Sequence, residues 1–125
     1  MNSKVTMVLR ILLGLALVIF GANKFYPFMP APEEMSEGAA NFMGALNNTG
    51  YMFPLIGAVE VVSGLLLLLK KWVPFALVLL APVAVNIVLF HVFLEPATIA
   101  PGLVILIINI ILIYTYWDKY KTLFG

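Results

Sequence analysis

Four apolar segments, separated by polar breaks, leave the backbone of this chain few options. They cover residues 5–23, 51–69, 73–93 and 101–117. Each is close to the roughly 20 residues that an α-helix needs to cross a bilayer. In hydrocarbon every backbone N–H and C=O must find its partner inside the protein, so segments of this kind form helices. Composition points the same way. Of the 125 residues, 63% are hydrophobic and 10% charged, against about 45–50% and about 25% in soluble domains. The expected fold class is all-α: a four-helix transmembrane bundle forming one domain over residues 1–125, with a short amphipathic helix in the first extracytoplasmic loop.

The first segment has a basic start and a hydrophobic middle, as a signal peptide would. It has no small-x-small cleavage site before Lys24, and three further apolar segments follow, so it reads as a retained span. Its uninterrupted core, Ile11 to Ala22, is short, which draws Arg10 into the edge of the first helix. Arg10 is expected to snorkel to the headgroups, with a pairing to Glu60 left open. Residues 24–50 form the long polar connection. Pro27, Pro30 and Pro32 make its first part extended, and Pro32-Glu33-Glu34 reads as a helix start, with acids at the positive end of the dipole. Met35, Ala39, Phe42, Met43 and Leu46 then recur at helical spacing, and Asn47-Asn48-Thr49-Gly50 closes the segment. This stretch is either an amphipathic helix on the membrane or over the bundle, or a surface loop packing its Met and Phe side chains on the spans.

The basic residues orient the chain. Lys4, Arg10, Lys70, Lys71, Lys119 and Lys121 fall on one side, while Lys24 faces the other beside Glu33, Glu34, Glu37 and Glu95. The positive-inside rule then places both termini in the cytoplasm and the long loop outside.

Glu60 stands nine residues from either end of its segment, roughly 14 Å along a helix. A carboxylate at that depth costs about 2.5–3.5 kcal/mol on insertion scales, which makes it a functional candidate by default. Gly57 and Gly64 flank it seven residues apart on one helix face, smooth enough for another helix to approach closely. Gly14 and Gly21 repeat the spacing in the first segment. Asn109 lies near the middle of the fourth segment, Asn86 in the outer half of the third, and His91 near its outer end. Asn23 and Lys24 finish the first. Together they outline a polar track from the outer surface past His91 and Lys24 towards Asn86, Glu60 and Asn109.

Each member has a structural alternative. Glu60 can be a protonated carboxyl hydrogen-bonded to Asn86 or Asn109 that only fixes helix packing, and Asn109 can be interhelical glue. Pro82 should kink the third helix and free a carbonyl, which Asn86, four residues on, can satisfy. His91 can be a wetted interfacial histidine, and Asn23-Lys24 can simply end and anchor a helix. Asn86 and His91, five residues apart, cannot both face Glu60 squarely.

Other chemistry is excluded early. The net charge of +1 is too small to suggest nucleic acid. The chain has no cysteine, so it offers no disulfide relay, thiolate nucleophile or iron–sulfur ligand. Its single histidine is too few for bis-histidine haem ligation, and no metal site is expected.

Arg10-Ile11-Leu12-Leu13-Gly14, Phe20-Gly21-Ala22-Asn23-Lys24-Phe25 and Gly57-Ala58-Val59-Glu60-Val61-Val62-Ser63-Gly64 with the leucine run after it resemble the DoxX family of small bacterial membrane proteins. The resemblance covers the first two spans, with Asn86 and His91 as matches to polar positions further on. It implies a four-helix bundle in the bacterial cytoplasmic membrane with both ends cytoplasmic, and membership of a quinone-linked oxidoreductase system. In that case no cofactor is covalently bound. A quinone headgroup would sit in the outer half of the bundle, with His91 or Lys24 on a carbonyl oxygen and Glu60 exchanging the proton. Electrons would come from a redox partner protein, and lipid and a second copy of the chain are further partners. The alternatives are an accessory or assembly protein with no chemistry of its own, and a small proton-coupled transporter using Glu60.

Overall fold

A computed structural model describes residues 3–26, 28 and 35–124, and among the described residues there is no strand. Five α-helices follow in order: α1 (Ser3–Phe25), α2 (Glu37–Asn48), α3 (Met52–Leu69), α4 (Val73–Leu94) and α5 (Ala100–Thr115). Short 3-10 turns occupy Pro96–Thr98, Trp117–Lys119 and Lys121–Phe124. Helices α1, α3 and α4 are each long and apolar enough to cross a membrane, and α5 is a shorter apolar helix of 16 residues. The helix start expected at Pro32-Glu33-Glu34 lies outside the described residues, as do Pro27 and Pro30. Helix α2 begins at Glu37, where Ser36 caps it by accepting from the Ala39 N–H at 3.1 Å. The fourth apolar segment, expected to run to residue 117, leaves the α-helical path at Thr115. Its end is closed by the Tyr116 N–H on the Leu112 carbonyl at 2.9 Å.

Helices α1 and α3 pack antiparallel along two glycine crossings. Gly14 meets Gly64 and Gly21 meets Gly57, and each pair is reciprocal. A Cβ on Gly14 would lie 3.0 Å from the Gly64 carbonyl oxygen, and one on Gly21 would lie 2.9 Å from that of Gly57. Small residues permit this approach where lipid supplies no hydrophobic drive between helices. Behind the seam, Leu13 and Leu17 of α1, Leu67 of α3, Leu77 and Leu80 of α4 and Leu112 of α5 form the buried core. The outer surface is equally apolar: Val5, Val8, Leu12, Leu15 and Ile19 of α1 are exposed at helical spacing. A contiguous exposed patch of this kind marks an interaction surface, and on apolar helices of these lengths the partner is lipid.

Arg10 departs from expectation. It is buried, and its guanidinium donates to the carbonyl of Leu67 and, at 3.5 Å, to that of Leu68. The last carbonyls of a helix lack the usual partner four residues on and form the negative end of its dipole; that of Leu67 also takes the Lys70 N–H at 3.3 Å. Arg10 therefore caps α3 instead of reaching for headgroups, and it does not pair with Glu60. Lys4, Arg10 and Lys70 surround a common hollow with Ser3, Thr115 and Tyr116, so these basic groups share one end of the molecule. At that end the Tyr120 hydroxyl donates to the Pro74 carbonyl at 2.6 Å. Burial, and secondarily the neighbouring Tyr116, push this phenol up to about 12, so it remains a donor throughout the physiological range.

Helix α4 continues through Pro82 without interruption. The Asn86 amide donates at 2.8 Å to the carbonyl of Pro82 itself. The carbonyl that a proline orphans lies four residues before it, at Val78, so the role expected for Asn86 is not the one it plays. Asn109 of α5 instead reaches the neighbouring carbonyl, that of Leu77, at 3.0 Å and ties α5 to α4.

Candidate functional site

The second glycine crossing builds the site. With Gly21 against Gly57, the Cβ atoms of Glu60 and Lys24 flank the contact at 3.0–3.1 Å from where a Cβ on either glycine would sit. The two side chains then close on each other, Lys24 Nζ to Glu60 Oε1, at 2.6 Å. Glu60 is 1% exposed and Lys24 23%, so the pair reaches the surface through its cation. Lys24 also lies 3.5 Å from the Phe20 carbonyl. Neither Asn86 nor Asn109 is the partner of Glu60: the amide of each is turned to an α4 carbonyl.

The pair borders a cavity of about 600 Å³ between α1, α3, α4 and α5. Its walls are mainly apolar, with Phe20, Phe53 and Phe90 among them, and the polar groups Lys24, Glu60, Asn86, His91 and Glu95 converge on it. Helix α2 forms part of its wall, contributing Phe42, Met43 and Leu46 to the lining. Phe42 lies against Phe90 with ring centroids 5.3 Å apart. The first turn of α2 is fastened to the end of α4: Glu95 Oε2 accepts from the Ser36 N–H at 2.7 Å, and the Ser36 hydroxyl donates to the Leu94 carbonyl.

His91 sits on the cavity wall with Nδ1 at 3.1 Å from the Glu95 carbonyl and 3.3 Å from the Thr98 hydroxyl. Two residues of the expected track do not line the cavity. Asn23 lies in the last turn of α1, its side-chain oxygen accepting from the Phe28 N–H at 2.9 Å. Asn109 is buried in the α4–α5 contact. Glu95 and Ser36 were not singled out from sequence. Each looked like an ordinary loop residue, and only the fold brings them together across 59 positions.

A concave, mainly apolar space of this size with a few convergent polar groups is the usual form of a small-molecule site. Three helices long and apolar enough to cross a membrane, a shorter apolar helix beside them and apolar side chains on the outer face mark a multi-pass helical membrane protein. The DoxX family model matches residues 5–92, more than half of the chain, and the chain belongs to the DoxX family. The match runs from the first turn of α1 into the last turn of α4 and takes in Lys24, Glu60, Asn86 and His91. No curated protein and no solved structure matches the chain.

Proposed function

We propose that this protein is a four-span subunit of the bacterial cytoplasmic membrane that holds the headgroup of a quinone-class carrier in the cavity beside Lys24 and Glu60. The observation that carries the reading is the ion pair at the edge of an otherwise apolar space. Desolvating two charges is expensive, and a purely apolar contact would join α1 to α3 at less cost. A cavity near 600 Å³ is within the range of about 300–1,000 Å³ for such ligands, and its phenylalanines suit a flat ring. A quinone, when bound, supplies the capacity for two electrons and two protons. The chain supplies binding, an apolar wall that includes α2, and a carboxylate at Glu60 that exchanges a proton while Lys24 balances its charge. Electrons come from a redox partner protein. The experiment is thermal melting of the purified protein with a short-chain quinone. Saturation at a hundredfold the Kd should add about 2.7 kcal/mol of stability. An unchanged melting temperature at every soluble concentration would remove the ligand from the reading.

One observation favours a second reading, that of an accessory protein. Lys24 and Glu60 also bridge α1 to α3, and a clasp needs no ligand.

In the same reading α5 is the fourth span, the basic end is cytoplasmic, and α2 lies outside. A cysteine placed at Glu37 should then react with an impermeant maleimide in intact cells, and one at Thr122 should not. The reverse labelling would invert the orientation.

A further inference from the structure

We infer that the basic hollow at the end of the bundle where α1 begins and α3 stops is a binding site for a phosphate ester anion, the headgroup of an anionic phospholipid seated against α1. It stands apart from the cavity beside Lys24 and Glu60 and does not depend on what that cavity holds.

The inference starts from a buried charge without a counterion. Arg10 is 7% exposed, and an arginine stays protonated in proteins. Among the described residues its partners are two backbone carbonyls, those of Leu67 and Leu68, both reached through Nη1. The dipole at the end of α3 offsets part of the cost of burying the cation, but a carbonyl brings no negative charge. A guanidinium has five N–H groups in a fixed fork, so Nη2 and Nε keep donors beyond the capping contact. Carboxylates elsewhere are engaged: Glu60 holds Lys24, Asp118 holds Lys121 at 2.8 Å, and Glu95 accepts from Ser36.

Arg10 lies on the wall of a hollow of about 450 Å³, where the other charged groups are Lys4 and Lys70. Among the described residues no aspartate or glutamate lines it. Both lysines are exposed, so two surface cations accompany the buried guanidinium. The Ser3 hydroxyl is on the same wall, whereas that of Thr115 is committed to the Ile111 carbonyl at 2.9 Å. A planar donor fork beside ammonium point charges is the pattern that recognises phosphate. A headgroup carrying its own cation fits poorly, because positive groups already occupy the wall. Met7, also on the wall, is exposed and adjoins Val8 in the chain, from which the outward apolar stripe of α1 runs through Leu12, Leu15 and Ile19. A phosphate held here leaves its acyl chains along that stripe, which favours a lipid over a soluble ester.

The test is thermal melting of the full chain in maltoside detergent with dioctanoyl phosphatidylglycerol, dioctanoyl phosphatidylcholine or glycerol 1-phosphate. The anionic lipid should raise the melting temperature saturably, with a Kd about tenfold below that of the zwitterionic lipid, and less so at high salt. Lys70→Asn should weaken the anionic lipid about fivefold, the scale of one lysine near an anionic surface. Asparagine tolerates the left-handed backbone at position 70, where φ is 55°, and the side chain is exposed, so this variant should fold. Lys71→Asn, one residue on and outside the hollow, should leave the affinity unchanged. Equal losses at the two lysines would reduce the effect to diffuse surface charge and overturn the inference. Equal binding of the two lipids, or no response to either, overturns it as well. Stabilisation by glycerol 1-phosphate at the lipid's own concentration overturns the lipid as occupant and leaves a site for a soluble phosphate ester.

Discussion

Gly64→Leu is expected to separate α1 from α3 and to lower the melting temperature of the protein markedly. A Cβ at position 64 would lie 2.7 Å from the Gly14 carbonyl oxygen and 3.0 Å from the Val18 backbone nitrogen. Both atoms belong to the backbone of α1, so no rotamer change can make room and the helices must move apart. Overpacking of this kind typically costs about 1–3 kcal/mol, and a leucine against backbone belongs at the upper end. Against a total stability of about 5–15 kcal/mol that is a large fraction. Moving the helices apart also draws Arg10 away from the Leu67 carbonyl. Gly44→Ala is the control, because nothing lies within 4 Å of a Cβ there. It should gain about 0.5–1 kcal/mol through helix propensity alone. Thermal melting of both variants decides the matter, and a Gly64→Leu protein that melts like its parent would place that face of α3 against lipid.

The second large effect is an asymmetry within the ion pair. Lys24→Met leaves the carboxylate of Glu60, 1% exposed, without its cation. Removing one partner of a buried pair costs about 3–5 kcal/mol. Glu60→Gln leaves only the ammonium of Lys24, which at 23% exposure already reaches the surface and can turn outwards, so the loss should be smaller. The double variant Lys24→Met/Glu60→Gln should recover much of the cost of the first change, because it removes both charges at once. If the two single costs are equal and simply add, the pair does not form in the membrane. The same double variant separates the functional readings. Retained stability with loss of quinone-induced stabilisation assigns the pair to ligand binding. Retained stability with an unchanged quinone response makes it a clasp.

Much of this architecture was legible because lipid simplifies the code. Apolar runs bounded by lysines, prolines and acids mark helix ends to within a few residues, as α3 and α4 illustrate. The seven-residue spacing of Gly14 with Gly21 and of Gly57 with Gly64 was equally visible. The partner of Glu60 was not. Asparagines at similar depth are the natural candidates by position, while Lys24 stands at the very end of its segment, where a lysine reads as an anchor. A lysine stem covers that separation, so depth read from its Cα misleads. The signal that would have found it is the matched glycine spacing itself. Setting Gly14 against Gly64 and Gly21 against Gly57 brings residue 24 towards the first turns of α3, and puts residue 10 opposite residue 68. Arg10 and Lys24 then fall near their observed partners. The tie between Ser36 and Glu95 had no comparable signal. It depends on where a loop crosses the bundle, and neither residue type nor spacing reports that.

Arg10 and Lys24 also act as a ruler. They stand fourteen residues apart on α1, near the two ends of its contact with α3. One grips the carbonyls that finish α3 and the other the carboxylate of Glu60. Sliding α1 by one helical turn, about 5.4 Å, would pull both cations off their partners together and set larger side chains against the glycines. A misregistered pairing of the first two spans is therefore penalised at both ends and along its length. The correct pairing can be selected as soon as α3 has entered the membrane, before α4 and α5 arrive to hold it.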